Sequence, residues 1–339
     1  MKKLGLLCVI IVLILFGMGC SRPSYVEVPD EKLQSIKQAQ DIFDVLKETE
    51  TIELELDYGL SPFHDFIIGE KYVVGIIASS QFRTYLWKKD GTFLGEIASY
   101  GKGPGEYMSG VTGCFVDSAH FLLFDRYLLR CSLFKLDEDQ VIFLDTYDTT
   151  KWVEYSIDLV FFHKGEIFCF NFAGNKGVPR MLVLDRNITT GSGFFTRKHV
   201  SHIMFETFNI FEDRIFMTEE LYHKNLKKIR TDPLHPENTG KILITDLKGN
   251  LVHKVKFNTD TVAHMIIPDK EMETLFLGDK IIDLNGNNLK IFDDEISIGK
   301  NGDWMKTSQK VRNTRDRVIY AKKVGDDEKI VLHLFEYKI

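Results

Sequence analysis

Three segments of the chain repeat one pattern: YLWKKDGTFL at residues 85–94, ILITDLKGNLV at 242–252 and IIDLNGNNL at 281–289. In each segment, a run of apolar residues leads into a polar turn that contains glycine, and further apolar residues follow. Glycine adopts at no steric cost the positive φ that a tight hairpin turn requires. The pattern therefore predicts a β-hairpin at each of the three places.

Looser copies occur at 136–140 and 184–187, which gives a repeat of about 40 to 50 residues, the length of a four-stranded propeller blade. Beyond Thr51 the apolar segments are short and alternating, as in strands. We therefore predict an all-β fold, a β-propeller of about six four-stranded antiparallel blades. A β-sandwich is the alternative. The predicted blades lie near 60–99, 110–147, 154–198, 200–257, 261–293 and 295–337, and a strand at Thr51–Asp57 completes the last sheet.

One blade carries a more specific signature in four segments: GKGPGEY at 101–107, VD at 116–117, FLLFDR at 121–126 and CSLF at 131–134. These segments resemble the six-bladed propeller lipoproteins of Bacteroidota, which are relatives of NHL-repeat and TolB-like proteins. The resemblance implies the fold and an envelope location. The later blades lack the Gly-Pro-Gly-Glu turn, so the resemblance implies no catalytic residue.

The N-terminus has the pattern of an export signal. Two lysines precede an apolar run from Leu4 to Phe16, and LFGMGC at 15–20 ends in a cysteine. The run is short for a membrane-spanning helix, and a charged start before an apolar run is typical of a signal peptide. LFGMGC resembles the bacterial lipobox, which implies cleavage before Cys20 and lipidation of Cys20. The alternative is a plain signal peptide with an unrelated cysteine.

The residues after Cys20 bear on the membrane and on the tether. Ser21 favours the outer membrane, and the absence of acidic residues from 21–25 favours the periplasmic side over surface display. From Asp30 to Glu48, a short amphipathic helix is predicted from the spacing of four apolar residues, Leu33, Ile36, Phe43 and Leu46. The predicted organisation is a signal peptide at 1–19, a lipidated tether with a helix at 20–50, and a propeller at 51–339.

Composition excludes some partners and predicts the state of the cysteines. The formal net charge of −6 argues against nucleic-acid binding. Three cysteines, Cys114, Cys131 and Cys169, remain beyond the predicted signal and anchor, each in an apolar run. Buried free thiols are therefore expected, with a disulfide between Cys114 and Cys131 as the alternative.

Motifs for chemistry are absent or incomplete. The segment 101–107 lacks the Gly-Lys-Ser/Thr ending of a phosphate loop, and 283–288 lacks the final glutamate of a calcium loop. His199 and His202 would point to opposite faces of a strand. No Gly-x-Ser-x-Gly elbow is present. No cofactor is predicted, and a metal at the propeller channel is left open.

Strand direction predicts which loops lie together. Strands of a meander alternate in direction, so the connections between blades and the turns between second and third strands share one face. This face gathers basic residues, which predicts affinity for anionic ligands; solvated charges on loops are the alternative. The candidate ligand-binding residues are Lys102, Glu106, Tyr107, Arg126, Tyr127, Asn171, Lys176, Lys227, Lys228, Arg312 and Arg315.

The function favoured by the sequence is that of a non-enzymatic binding or scaffolding module in the cell envelope. Its expected partners are the membrane, through the lipid anchor, and a glycan, an anionic ligand or an envelope protein. An enzyme, a lyase or hydrolase with its site at the central channel, is one alternative. A sensor subunit is another.

Overall fold

The computed structural model describes most of the predicted propeller. It does not describe the signal peptide, Cys20, His199 or His202, so those predictions stay untested. Among the described residues, one α-helix precedes six four-stranded antiparallel sheets. The described residues are 27–55, 63–77, 83–108, 111–138, 140–150, 157–171, 179–196, 208–219, 239–258, 265–278, 280–292, 304–305, 317–324 and 329–339.

Each of the first five sheets, which we call blades 1 to 5, is a meander of consecutive strands. Blade 1 contains β2 (Phe63–Ile68), β3 (Tyr72–Ile77), β4 (Arg83–Lys88) and β5 (Phe93–Ala98). Blade 2 contains β6 (Val111–Phe115), β7 (His120–Asp125), β8 (Arg130–Asp137) and β9 (Gln140–Asp148). Blade 3 contains β10 (Leu159–His163), β11 (Glu166–Phe170), β12 (Pro179–Asp185) and β13 (Gly191–Thr196).

Blades 4 and 5 follow the same order, and blade 6 includes a strand from the other end of the chain. Blade 4 contains β14 (Phe208–Phe211), β15 (Arg214–Glu219), β16 (Thr239–Asp246) and β17 (Leu251–Asn258). Blade 5 contains β18 (Ile267–Pro268), β19 (Thr274–Phe276), β20 (Lys280–Asp283) and β21 (Asn288–Ile291). Blade 6 contains β22 (Trp304–Met305), β23 (Arg317–Val324), β24 (Lys329–Tyr337) and β1 (Leu46–Leu54).

The core closes into a ring. Six clusters of buried apolar side chains each lie between two consecutive blades. The last of them joins blade 6 to blade 1, where Leu54 and Leu332 pack with Trp87. Each blade therefore buries both of its faces against neighbours, which is the packing of a six-bladed propeller. The predicted all-β fold and its six blades are confirmed.

The ring is closed by pairing the two ends of the described chain. Strand β1 is the outer strand of blade 6 and pairs antiparallel with β24, from Leu46 opposite Tyr337 to Leu54 opposite Ile330. The sequence prediction placed this strand at Thr51–Asp57, but it begins at Leu46 and ends at Leu54. Closure covers the free edge of β24, so that β1 becomes the outer strand of the blade.

The predicted hairpins are present, and their glycines have positive φ. Gly91, Gly249 and Gly286 have φ of 96°, 83° and 88°. At Gly91 a Cβ would lie 1.8 Å from the carbonyl oxygen of Glu53 in β1. Glycine therefore serves the turn and also the close approach of blade 1 to the closing strand.

The predicted helix over 30–48 is wrong in its second half. Helix α1 is Asp30–Gln38, a short 3-10 helix follows at Ile42–Asp44, and Leu46 already lies in β1. Side chains end the helix early, because the Asp44 carboxylate accepts hydrogen bonds from the backbone N–H groups of Gln40 and Asp41. Such local bonds compete with helical hydrogen bonding.

The two faces of the ring carry different turns. Of the described segments, the connection 99–108 between blades 1 and 2 and the turn 126–129 between β7 and β8 lie at what we call the loop face. The N-terminal face carries the remaining turns, including 269–273 between β18 and β19.

Helix α1 lies at the N-terminal face, where Lys32 Nζ is 3.0 Å from Asp269 and 2.6 Å from Glu273. Burial lowers the pKa of Lys32, but its bonds to Glu273, Asp269 and Glu271 outweigh burial and raise it above the ordinary value.

The three cysteines of the propeller are free and buried, as expected. Cys114 lies opposite Leu122 in β7, whereas Cys131 lies opposite Phe124 on the other side of β7. Two strand spacings, roughly 10 Å, separate their backbones, beyond the reach of a disulfide. The alternative Cys114–Cys131 disulfide is therefore wrong. Burial raises the pKa of the Cys131 and Cys169 thiols well above the ordinary value, so they are poor nucleophiles.

We expect Leu54→Ala to lower the free energy of unfolding by about 2 to 5 kcal/mol, because it opens a cavity at the junction that closes the ring. Leu54 is fully buried. The measurement is chemical denaturation of the full chain. Glu53→Ala is the matched control on the same strand, where the side chain is exposed, and should change stability by less than about 0.5 kcal/mol. Equal effects of the two substitutions would contradict this packing.

Candidate ligand-binding face

The loop face brings two of the predicted segments together. The guanidinium of Arg130, the first residue of β8, donates hydrogen bonds to the carbonyl oxygens of Lys102, Gly103 and Glu106 at 2.9, 2.7 and 2.6 Å. The connection 101–107 therefore lies beside the turn 126–129, as strand alternation predicts. Three bonds from one planar cation fix the path of this connection.

The Gly-Pro-Gly-Glu turn is held by its own side chains. The Glu106 carboxylate accepts a hydrogen bond from the backbone N–H of Gly103 at 2.6 Å. The carbonyl oxygens of the turn accept from the Arg130 cation, and the Gly103 N–H is bonded to a carboxylate of the turn itself. The turn therefore differs from a phosphate-binding loop, whose N–H groups face an anion from outside the loop. Glu106 was predicted to face a ligand, but its carboxylate bonds within the turn.

Tyr107 was also predicted to lie at the ligand face, but its side chain is in the core. It is 1 % exposed and belongs to the apolar cluster between blades 1 and 2. Burial raises the pKa of Tyr107 to about 12. The aromatic side chain follows the packing between blades 1 and 2, which sequence spacing alone did not distinguish from an exposed position. The exposed residues of this connection include Tyr100, Lys102 and Pro104.

The turn of blade 2 presents one aromatic ring to solvent. Tyr127 is 66 % exposed. Its position is fixed by Asp125, whose Oδ1 accepts hydrogen bonds from the N–H groups of Tyr127 and Leu128 and whose Oδ2 accepts one from Met108. Sequence analysis did not assign Asp125 a role. An aspartate at the end of a strand before a turn is the signal that could have identified it.

Arg126 joins blade 2 to blade 3. Its Nε and Nη2 atoms donate to the carbonyl oxygens of Ile157 and Asp158, both at 3.2 Å, and Nη2 also lies 3.2 Å from the Asp158 carboxylate. Arg126 was predicted as a residue for anionic ligands. Its charge is instead paired inside the protein, which leaves little attraction for an anion at this position.

Asn171 is buried, and its side chain has no hydrogen bond to the described residues. It is 4 % exposed, and neither Nδ2 nor Oδ1 has a partner in that part of the chain. A buried polar atom without a partner costs about 1 to 3 kcal/mol. Asn171 follows β11 at the loop face, beside Asp158, whose N–H donates to Phe170 O at 2.8 Å. Asn171, a predicted ligand-binding residue, therefore has a side-chain amide that could form hydrogen bonds with a ligand.

Other buried polar residues lie near the loop-face ends of the inner strands. They belong to different blades, and one of them, Asn209, bridges two blades by donating from Nδ2 to the carbonyl oxygen of Ile266 at 2.7 Å. Sequence analysis did not single them out, because one polar residue in an apolar strand has no distinctive spacing. The residues are Asp65, Thr112, Asp158 and Asn209.

Several predictions lie outside the described residues. These concern the basic residues Lys176, Lys227, Lys228, Arg312 and Arg315, so a basic loop face stays a prediction. Within the described part of the chain, no group of three or more His, Cys, Asp or Glu side chains could hold a metal ion. The predicted turn at Asp283 is confirmed as a hairpin, because its carboxylate accepts bonds from the N–H groups of Asn285 and Asn287 at 2.8 Å.

Two solved structures from Bacteroides species are similar in fold to this chain. An exported protein from Bacteroides fragilis matches with a TM-score of 0.52 and 11 % identity, over 88 % of this chain and 97 % of that one. A member of the DUF4221 family from Bacteroides vulgatus matches with a TM-score of 0.52 and 10 % identity, over 86 % and 97 %. No protein-family model and no curated protein matches the sequence. Among the described helices, none is long and apolar enough to cross a bilayer.

We expect Arg130→Met to destabilise the protein by about 2 to 3 kcal/mol, because three carbonyl oxygens of the Gly-Pro-Gly-Glu turn lose a charged donor. The measurement is chemical denaturation. Lys135→Met, on the same strand, is the control: its exposed ion pair with Asp137 is screened by solvent and should contribute little to stability. If Arg130→Met were as mild as the control, the guanidinium would not be what holds this turn.

Proposed function

We propose that this chain is an exported propeller, anchored in the cell envelope by a lipid on Cys20, that binds a partner on its loop face without catalysing a reaction. The observation that carries the proposal is the buried Asn171 amide, which has no partner among the described residues of this face. A protein retains such a costly group where a ligand can satisfy it. The lipobox-like LFGMGC and the two Bacteroides structures, one of them described as exported, support the location.

The position of the N-terminal segment is compatible with anchoring and binding at once. Helix α1 is held at the N-terminal face by the bonds of Lys32 to Asp269, Glu271 and Glu273. Its Ile36 is fully buried against blades 5 and 6. A chain anchored through residues that precede this helix leaves the opposite face accessible. We therefore propose that the loop face points away from the membrane.

The proposed partner is a glycan, an anionic ligand or an envelope protein. The exposed aromatic rings of Tyr100 and Tyr127 suit any of these classes, since tyrosine combines an apolar ring with a polar hydroxyl. Lys102 is exposed and would contribute to the binding of an anionic partner. The outer membrane, with the protein on its periplasmic side, is the proposed location.

A blocking experiment tests the binding face. The full chain is recovered from membranes with detergent. Cys20→Ser removes the proposed site of the lipid anchor, so this variant should be recovered without detergent. Thermal unfolding is then followed with neutral oligosaccharides, heparin, and divalent metals with and without a chelator. We expect one ligand to raise the transition temperature, because it binds only the folded state. A maleimide-linked polymer attached to the cysteine of Lys102→Cys would cover the loop face and should abolish this rise in transition temperature. The same polymer attached to the cysteine of Lys270→Cys, an exposed position on the N-terminal face, should leave the rise unchanged.

Three results would contradict the proposal. One is the absence of a shift with every ligand, and another is a shift blocked only from the Lys270→Cys position. The third is metal-dependent conversion of the ligand to product, which would show an enzyme. The buried thiols of Cys114, Cys131 and Cys169 do not interfere, because the folded protein shields them from the maleimide.

A further inference from the structure

Arg126, Asp158 and Asn171 form one polar cluster at the loop-face end of the junction between blades 2 and 3. Asp158 lies just before β10, and its carboxylate is directed toward blade 2, where it lies 3.2 Å from Nη2 of Arg126. Along β11, Cys169 packs toward blade 2 and Phe170 toward blade 4, so Asn171 also points to blade 2. Arg126 reaches Asp158 from blade 2.

The members of the cluster are buried to different depths, so the cluster has an outer part and an inner part. The side chain of Asp158 is 8 % exposed and that of Arg126 is 29 % exposed. Asn171 is the inner member, at 4 %, whereas the Tyr127 ring next to Arg126 is 66 % exposed. The solvent-exposed side of the cluster is therefore at Arg126 and Tyr127.

The unmet hydrogen bonds define the chemistry of a ligand. Nδ2 of Asn171 needs an acceptor and Oδ1 needs a donor. A hydroxyl group supplies both. Because Arg126 and Asp158 form an ion pair, the cluster has no net charge, which favours a neutral ligand over an anion. The exposed ring of Tyr127 offers an apolar surface to the C–H groups of a sugar.

We infer that Arg126, Asp158 and Asn171, with the ring of Tyr127, form a subsite for the hydroxyl groups of a neutral glycan. The inference rests on the proposed function, in which the loop face receives the ligand, and it selects one ligand class. A peptide could also satisfy an amide, but the rest of its backbone would lose water without gaining partners. A neutral glycan places several hydroxyl groups close together on one ring.

The first test compares two asparagines and needs no ligand. Asn171→Leu should leave the transition temperature of the full chain unchanged or raise it, because leucine removes a buried amide without a partner. Asn209→Leu is the matched control and should lower it, because the Asn209 amide bonds the carbonyl oxygen of Ile266 in the next blade. A loss of stability in Asn171→Leu as large as in the control would overturn the subsite, since the amide would then be bonded within the protein.

The second test measures binding of neutral oligosaccharides, first on a glycan array and then by calorimetry on the best binder. We expect Asn171→Leu to weaken binding at least tenfold. Tyr127→Ala should also weaken it, with no change in the transition temperature. Unchanged affinity in Asn171→Leu would overturn the subsite. If heparin or a peptide binds at the loop face and no neutral oligosaccharide does, the subsite is overturned but the proposed function is retained. If no ligand binds at the loop face, both the subsite and the proposed function are contradicted.

Discussion

The pairing of β1 with β24 is the constraint on which the rest of the molecule depends. Ile52 and Leu54 of β1 pack with apolar residues of β23 and β24 in the junction of blade 6 with blade 1, where the ring of clusters closes. Without β1, β24 would present an unpaired edge. The junction also holds Trp87, whose indole N–H donates to the carbonyl oxygen of Glu55, just beyond the end of β1. Backbone pairing and side-chain burial therefore act at the same place.

Ring closure also determines which face of the propeller carries helix α1. Since β1 enters blade 6 at the N-terminal face, helix α1 lies at that face and Lys32 bonds the turn between β18 and β19. The connections between blades lie at the opposite face. There the charged groups act mainly within the protein: Arg130 holds a connection and Arg126 joins two blades. The amide of Asn171 differs, because neither of its polar atoms is bonded to a described residue, and for this reason it carries the functional argument.

Local chemistry was predictable from the sequence, whereas contacts between blades were not. The turn glycines at 91, 249 and 286 identified the hairpins because positive φ is a property of one residue. The end of α1 was not predicted because it depends on the Asp44 carboxylate, which accepts a hydrogen bond from the backbone N–H of Gln40 and so competes with helical hydrogen bonding. The roles of Tyr107 and Arg126 were missed because they depend on a neighbouring blade. Asn171 was placed on the correct face from strand direction, but only packing revealed that no described residue bonds its amide.

Hydrogen exchange of the full chain tests ring closure most directly. Amides of β1 that bond to β24 should exchange as slowly as the central amides of β24, because both would open only when the propeller unfolds as a whole. The contradictory result is fast exchange throughout residues 46–54 while residues 329–337 stay protected. In that case β1 would detach on its own, and the two ends of the chain would not close the ring.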